Sequence, residues 1–374
     1  MSTEIIPIDA ESPAEAQIQH AAESLAAGAL VAFPTETVYG LAVSAADPDG
    51  VARLIAAKGR TVRQPFTVHV GRRCDAEAFV PDPPPLGRRI MKKGWPGPLT
   101  VIFQVEEPAR AAVYEKLCSQ GAEAIYADKS VGIRCPDHAV AAALLTRAGV
   151  PVIASSANPA GTPPPTDADG IRTSLHDEVD ILLDAGPTRY KKGSTIVSLN
   201  GTGYKILRAG VLDERMVQKL ATVSILFVCT GNTCRSPMAE GFCRQMLAER
   251  IGCRVAELPA RGIRVGSAGT FGLRGGRASQ EAIEVCLREG IDISSHRSRG
   301  LEVELIHPAD YVFTMAAHHR DVVCSLSPED ADRVARLIPD EDIGDPIGGT
   351  VDDYQRVAEK IKQALENRLS EVAL

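Results

Sequence analysis

A strand-like run, Ser224-Ile-Leu-Phe-Val228, leads directly into Cys229-Thr-Gly-Asn-Thr-Cys-Arg235-Ser236-Pro237, and a helical pattern follows. A loop between a strand end and a helix N-terminus aims backbone N–H groups at one point. The helix dipole adds positive potential there, so such a loop is an anion cradle. Arg235 adds a planar fork suited to phosphate. A cysteine opening such a loop is expected to ionise readily, and a thiolate facing a phosphoryl group is a nucleophile for phosphoryl transfer. Ser236 reads as the helix N-cap and Pro237 as a first-turn proline. One cysteine alone reads as a buried thiol, and one strand–loop–helix as ordinary packing. The joint pattern Cys-x5-Arg-Ser between strand and helix is far more specific.

A second group of polar motifs lies in the N-terminal half. Phe33-Pro-Thr-Glu-Thr-Val-Tyr-Gly-Leu41 reads as a polar elbow, with Thr35 and Thr37 as hydroxyl donors and Tyr39-Gly40 turning the chain. Lys58-Gly-Arg60 ends a helical segment, His69 sits in the next strand, and Trp95-Pro-Gly-Pro-Leu-Thr100 is a rigid turn. Val131-Gly-Ile-Arg134-Cys-Pro136 and Ser155-Ser156-Ala-Asn158 follow. Singly, each has a bland reading: Lys58 and Arg60 as helix C-terminal charges, Trp95 as core, Ser-x-Asn as a turn.

The elements that must position these groups alternate between strand-like and helix-like throughout, which argues an α/β chain. Ala29–Phe33, Phe66–Val70, Leu99–Val105, Val131–Arg134 and Val150–Ala154 read as strands, and Val51–Ala57 and His138–Arg147 as helices. Pro159 to Pro165 is a loop. A strand, Tyr204–Arg208, closes the first half, and a short polar helix over Asp213–Leu220 serves as linker. Beyond it, Met238, Phe242 and Met246 recur at helical spacing. Val351, Tyr354, Val357, Ala358, Ile361 and Leu365 mark one face of a last helix over 351–369. No solenoid-length repeat is present. A length of 374 residues favours two domains at roughly 150 residues each. The expected boundaries are 1–210, a linker over 211–222, and 223–374.

Composition excludes several classes. With 44% apolar and 24% charged residues the chain reads as soluble and globular, neither disordered nor membrane-bound. Met1 to Gly28 lacks a basic start and an apolar core, so no signal peptide is expected. Nine cysteines without a CxxC pair read as reduced thiols of a cytoplasmic protein. Residues 1–215 hold 22 basic and 25 acidic side chains, and 216–374 hold 19 and 23. Neither half has the basic excess of a strong nucleic-acid binder. The run Arg53, Arg60, Arg63, Arg72, Arg73 reads as a solvated face.

Cys229-Thr-Gly-Asn-Thr-Cys-Arg-Ser-Pro-Met-Ala-Glu-Gly241 resembles the phosphate loop of the low-molecular-weight protein tyrosine phosphatase family, over about residues 222–374. The resemblance implies a Rossmann-like domain with a parallel sheet, needing no cofactor. Catalysis would fall to Cys229, Arg235 and Asp345, the last in Asp345-Pro346 as general acid and then base. Thr230, Gly231, Asn232, Thr233, Cys234, Ser236, Ser267 and His296 would shape the loop, with Asn232, Ser236, Ser267 and His296 in one hydrogen-bonded network. Tyrosine-directed members carry a bulky aliphatic residue where Thr233 stands, and aromatic walls. Thr233 and Ile347-Gly-Gly349 resemble the protein-arginine phosphatase branch instead, with Phe271 the lone nearby aromatic after Thr270. A phenyl ring wants aromatic walls, a guanidinium polar ones. Phosphoarginine proteins are thus expected as substrates ahead of phosphotyrosine proteins. Thiol-linked arsenate reduction wants two further cysteines near 298–310, which are absent. Cys234 is either a partner for reversible oxidation of Cys229 or a packing residue.

The N-terminal motifs, in their order, resemble the threonylcarbamoyl-AMP synthase (YrdC-like) family over about residues 15–210. The resemblance implies a twisted α/β sheet and the joining of L-threonine, bicarbonate and ATP into threonylcarbamoyl-AMP and pyrophosphate. The product would feed the t6A transferase machinery and tRNA modification. Lys58, Arg60, Ser130, Ser156, Asn158 and Arg208 would contact ATP, with Mg2+ carried by its phosphates. Thr35, Thr37, His69, Arg134 and Ser194 would contact threonine. Pro163-Pro164-Pro165 stands where the family tends to have a nucleotide-touching serine, and Ala185–Ser194 lacks a usual Glu. The alternative is a YrdC-like module that only binds RNA or nucleotide. Where longer members carry an extra domain, this chain carries the phosphatase-like segment.

Overall fold

The computed structural model describes residues 3–59, 65–175, 178–201, 203–271 and 274–372. Two separately packed units account for the chain, Met1–Leu220 and Ala221–Leu374.

The first unit is built on ten strands: β1 (Glu4–Pro7), β2 (Val31–Phe33), β3 (Gly40–Ser44), β4 (Thr67–His69), β5 (Leu99–Gln104), β6 (Ser130–Arg134), β7 (Val152–Ser156), β8 (Ile181–Asp184), β9 (Thr195–Asn200) and β10 (Gly203–Arg208). They form one mixed sheet in the order β1-β8-β2-β3-β7-β4-β6-β5-β9-β10. Its helices are α1 (Glu15–Ala26), α2 (Pro48–Lys58), α3 (Pro85–Gly94), α4 (Ser119–Ile125), α5 (Ala139–Arg147), α6 (Ala168–Leu175) and α7 (Glu214–Ala221). In α1, Ile18, Ala21, Ala22 and Leu25 lie on one stripe. They pack with Val140, Ala141 and Leu144 of α5 over β2, β3 and β8. α2 starts where the Asp47 carboxylate accepts the Gly50 N–H at 2.8 Å, with Pro48 opening the helix.

Two differences from the sequence reading bear on the site. The elbow Phe33–Leu41 does not end in a simple turn. Gly40 opens a buried strand, β3, paired antiparallel with β2 and β7. A Cβ at Gly40 would lie 2.8 Å from the Phe33 ring, so only glycine lets β3 close on β2. The polar segment after β10 forms α7 with Val217 buried, and the division falls between Leu220 and Ala221. Residues 211–220 therefore pack as part of the first unit.

The second unit has four strands, β11 (Val223–Cys229), β12 (Ile263–Gly269), β13 (Tyr311–Thr314) and β14 (Val334–Arg336). They are all parallel, in the order β12-β11-β13-β14. Its helices are α8 (Arg235–Ile251), α9 (Gln280–Arg288), α10 (Val303–Ile306), α11 (Ala317–Leu326) and α12 (Val351–Glu371). Side chains along β11 alternate between two cores. Ile225, Phe227 and Cys229 meet α8, α9 and α12, whereas Leu226 and Val228 meet Ile306 and Val323. A central parallel strand buried on both faces reads as a continuous apolar run, as 224–228 does. Such a sheet places its ligand crevice at the carboxyl ends of the strands, where Cys229 stands. No helix among the described residues is long and apolar enough to cross a membrane.

Candidate active sites

Strand ends of the first unit enclose a cavity of about 200 Å³. Thr35, His69, Arg134, Ser156, Ser194 and Arg208 line it, with Thr67, Thr100 and Pro164. Arg134 ends β6 and is buried. Its Nη2 donates to Thr37 Oγ1 at 2.6 Å, Glu36 Oε1 at 2.9 Å and Thr35 Oγ1 at 3.4 Å. Its Nε has no partner among the described residues. Glu36 went unassigned in the sequence reading, yet its second oxygen accepts the Asp137 N–H at 3.2 Å, so it clamps the guanidinium. The available signal is that Glu36 is the sole charged residue between Ala29 and Ala46. On the far side, Arg208 donates to Ser194 O at 2.9 and 3.1 Å and to Ser194 Oγ at 3.1 Å. Ser194 Oγ in turn lies 3.0 Å from Thr100 Oγ1.

Of the nucleotide candidates, Ser156 and Arg208 line the cavity, and Lys58 and Asn158 are bonded beside Ser156 without lining it. Lys58 is no exposed helix-end charge: it is buried, and its ammonium donates to Ser156 O at 2.6 Å and to Asn158 O. Asn158 Nδ2 donates to Thr162 O at 2.7 Å and Pro159 O at 3.0 Å, so Asn158 shapes the turn before the prolines. Neither Lys58 nor Asn158 lines the cavity. Ser130 begins the strand that Arg134 ends, roughly 13 Å away at strand rise, and its hydroxyl donates to Ala127 O at 3.0 Å. Arg60 lies outside the described residues. Pro164 borders the cavity where a serine was expected, and it offers no donor.

His69 is buried, with Nδ1 3.1 Å from Thr67 O. A carbonyl only accepts, so Nδ1 carries the proton and Nε2 is left as the acceptor. Burial first, then the Arg134 charge, pushes the ring from its ordinary 6.5 down to about 3.

In the second unit, β11 delivers Cys229 to the start of the phosphate loop. Ser236 Oγ lies 3.0 Å from its sulfur and the Asn232 N–H donates to it at 3.3 Å. Ser236 is therefore not the N-cap. α8 starts at Arg235 behind Cys234, and the hydroxyl faces the thiol instead. Asn232 adopts a left-handed φ of 55°. Its Nδ2 donates to Ser236 Oγ and Ser267 Oγ, each at 2.9 Å. Its Oδ1 accepts the Arg299 N–H at 2.9 Å, and its carbonyl accepts from His296 Nε2 at 2.8 Å. The other three network residues, Ser236, Ser267 and His296, thus converge on Asn232. Ser267 Oγ also donates to Glu240 at 2.6 Å, a partner absent from the sequence reading. Gly269 permits the close packing of β12: a Cβ there would lie 2.5 Å from Thr230 O.

The Arg235 guanidinium is buried. Nη1 donates to Ile343 O at 2.9 Å, Nη2 reaches Asp345 and lies 3.3 Å from Thr230 Oγ1, and Nε has no partner among the described residues. Asp345 is 38% exposed, so the candidate acid meets both solvent and the arginine. Cys234 Sγ lies 3.3 Å from Tyr354 OH, and burial with that contact lifts the phenol to about 12. The Thr233 carbonyl accepts the Ser279 N–H at 2.9 Å, and its hydroxyl lies 3.5 Å from Cys234 Sγ. Gly231 completes the loop. Phe271 and Ile347 are 83% and 70% exposed.

Residues 23–210 match the Sua5/YciO/YrdC model, described as telomere recombination, and residues 224–373 match that of low molecular weight phosphotyrosine protein phosphatase. Over 210 residues (56% of this chain) the sequence is 34% identical to Threonylcarbamoyl-AMP synthase of Bacillus subtilis, covering 58% of it. The chain thus spans less than two thirds of that relative. Over 204 residues (54% of this chain) it is 39% identical to a Mycobacterium tuberculosis protein provisionally named threonylcarbamoyl-AMP synthase, covering 88% of it. Over 152 residues (39% of this chain) it is 38% identical to Protein-arginine-phosphatase of Geobacillus stearothermophilus, covering 93% of it. The solved structure of P. abyssi Sua5 complexed with L-threonine has a similar fold, with a TM-score of 0.52 at 21% identity, covering 96% of this chain and 98% of that one.

Lys58→Met removes the ammonium that satisfies two buried carbonyls, and should destabilise the first unit by about 2–4 kcal/mol. An unchanged chemical-denaturation midpoint would refute the anchoring role. His69 gives a pH test. The folded ring stays neutral down to about 3 while the unfolded ring takes up its proton near 6.5. The contribution is therefore full above 6.5 and is lost as pH falls between those values, at about 1.4 kcal/mol per pH unit. Urea denaturation near pH 7 and pH 5 should show wild type losing roughly 2 kcal/mol more than His69→Gln does. Equal losses would place the titration elsewhere.

Proposed function

We propose that this chain, which belongs to the Sua5/YciO/YrdC family through residues 23–210 and to the low-molecular-weight phosphatase family through residues 224–373, is a bifunctional enzyme. Its first unit would make threonylcarbamoyl-AMP for the t6A pathway of tRNA, and its second would remove phosphoryl groups from protein phosphoarginine, both in the cytoplasm.

For the first unit the carrying observation is Arg134, buried at the cavity wall with its Nε unpartnered and its other side clamped by Glu36. A buried donor without a partner wants an anion, and the threonine carboxylate is the anion this reaction offers. Thr35, Thr37, His69 and Ser194 supply short hydroxyl and imidazole contacts around it. The amine takes up bicarbonate with loss of water, and the resulting carbamate oxygen displaces pyrophosphate from the α-phosphorus of ATP. Arg208 and Ser156 line the nucleotide side. No described residue lining the cavity is a carboxylate, so Mg2+ would arrive with ATP, held by phosphates and water. Lys58 and Asn158 act by holding the Ser156–Asn158 turn, not by touching phosphate.

For the second unit the carrying observation is the thiol of Cys229 with Ser236 Oγ and the Asn232 N–H upon it, beside a buried Arg235 whose Nε is unpartnered. The sulfur attacks phosphorus, Asp345 gives its proton to the leaving guanidine nitrogen, and then takes one from the water that hydrolyses phosphocysteine. Phosphoarginine is favoured over phosphotyrosine by Thr233 in the loop and by the Ile347-Gly-Gly349 segment, without an aromatic residue, after Asp345-Pro346. The arginine phosphatase relative points the same way.

Cys229→Ser should abolish hydrolysis of phosphoarginine peptides and leave threonine- and bicarbonate-dependent pyrophosphate release from ATP intact. Loss of both activities in the folded variant would sink the assignment of separate sites. Pyrophosphate release indifferent to threonine would leave the first unit a binding module. Thr233→Ile replaces a hydroxyl by apolar volume. It should cut the phosphoarginine-to-phosphotyrosine ratio of kcat/KM by about one to two orders of magnitude, from roughly 1–3 kcal/mol of lost discrimination. Asp345→Asn should lower both rates, and an unchanged ratio in Thr233→Ile would favour the tyrosine reading.

A further inference from the structure

One buried histidine of the second unit has no place in the chemistry above. His319 lies on α11, fully buried, with Nε2 2.8 Å from Thr230 Oγ1. The same oxygen lies 3.3 Å from Nη2 of Arg235. A guanidinium only donates, so Thr230 accepts from Arg235 and sends its own proton to His319 Nε2. The ring is then neutral, with its proton on Nδ1. Burial, the His318 ring tilted at 47° with its centroid 3.9 Å away, and the Arg235 charge agree with this, for they hold the ring down to about 4. Nδ1 is buried without a hydrogen-bond partner among the described residues. An apolar residue of similar size would pack there without that cost, so packing alone does not account for an imidazole.

We propose that His319 is a positioning residue of the phosphatase, aiming the Arg235 guanidinium at the phosphoryl group through the Thr230 hydroxyl. The inference rests on the phosphatase reading of this unit. In the structure Nη2 is shared between Asp345 and Thr230. Asp345 must leave the arginine to protonate the leaving group. Thr230 is then the side-chain contact that remains on Nη2, and Ile343 O the backbone contact on Nη1. A threonine hydroxyl with no acceptor for its proton can rotate that proton toward the guanidinium, which would repel it. His319 removes that option by supplying the acceptor, so both Thr230 lone pairs face the loop. The orientation of the catalytic cation thus depends on a ring that touches neither substrate nor thiol.

Alkylation of Cys229 in the full chain tests this without any phosphosubstrate. Iodoacetate is an anion drawn in by Arg235, whereas iodoacetamide is neutral and of the same size. Rates are read at the Cys229 peptide by mass spectrometry, with inorganic phosphate as a protecting anion. His319→Leu and Thr230→Val should each lower the iodoacetate-to-iodoacetamide ratio and weaken phosphate protection by about tenfold. The double variant should lose no more than either single one, because both break the same relay. His319→Gln, whose side-chain carbonyl can accept from Thr230, should recover most of the ratio. Unchanged ratios, losses that multiply in the double variant, or an equal fall with both reagents would overturn the proposal. If His319→Leu does not fold, Thr230→Val against Thr230→Ser decides on the same readout. Absence of hydrolysis with both phosphoarginine and phosphotyrosine peptides would sink the phosphatase reading while leaving the alkylation result to stand. Intact hydrolysis with an unchanged ratio would sink the relay alone.

Discussion

Each unit is organised around a guanidinium that has been taken out of water. Arg134 and Arg235 are both buried, both lean on one carboxylate (Glu36 and Asp345), both share Nη2 with a threonine hydroxyl, and both leave Nε without a partner. A buried charge is costly unless paired, and a pairing that used every donor would leave nothing for a ligand. The arrangement in each unit meets both demands. One side of the fork is satisfied by the protein, and one buried donor has no partner among the described residues, as the proposed anion sites require. Much of the surrounding structure follows from holding these two cations still.

The means of holding them differ. In the first unit Arg134 sits at a strand end, and the clamp comes from the Thr35–Thr37 elbow, fixed because Gly40 lets β3 fold back against β2. In the second unit the cation belongs to the first turn of α8, and the loop before it is held by Asn232. One side chain in a left-handed conformation spends its amide on two serines and an incoming N–H. The thiol, the arginine and the helix N-terminus are thus fixed relative to one another before any phosphate binds, which is the preorganisation that electrostatic catalysis requires.

The two carboxylates also divide by exposure. Glu36 is enclosed and bonded by a second N–H, so it serves as a fixed counter-charge. Asp345 stands on a solvent-facing loop after Gly344, with its other oxygen 3.3 Å from the Ile347 N–H. A counter-ion that must later act as an acid has to be released from its cation, and partial exposure makes that release inexpensive. Chemically similar ion pairs thereby differ: one is enclosed and fixed, and the other meets solvent, as the acid of the proposed phosphatase would have to.

Much was legible in the residues alone. Local pattern decides an apolar strand followed by a Gly-containing loop and a helix, so Cys229, Arg235 and the alternation of β11 could be read directly, as could the stripe of α12. Paired motifs in a fixed order identified both halves. The tertiary structure decided what distance along the chain conceals. Lys58 and Asn158 turned out to be bonded to each other's neighbourhood across 100 residues, as anchors of a turn. Ser236 looked like a cap because serine before a helix usually is one, but the thiol seven residues earlier claims its hydroxyl. Glu36 and His319 gain meaning only from the arginines they serve, 98 residues away for one, and through a threonine 89 residues away for the other. Side-chain charge is local in sequence, whereas the partner that makes its burial tolerable is chosen by the fold.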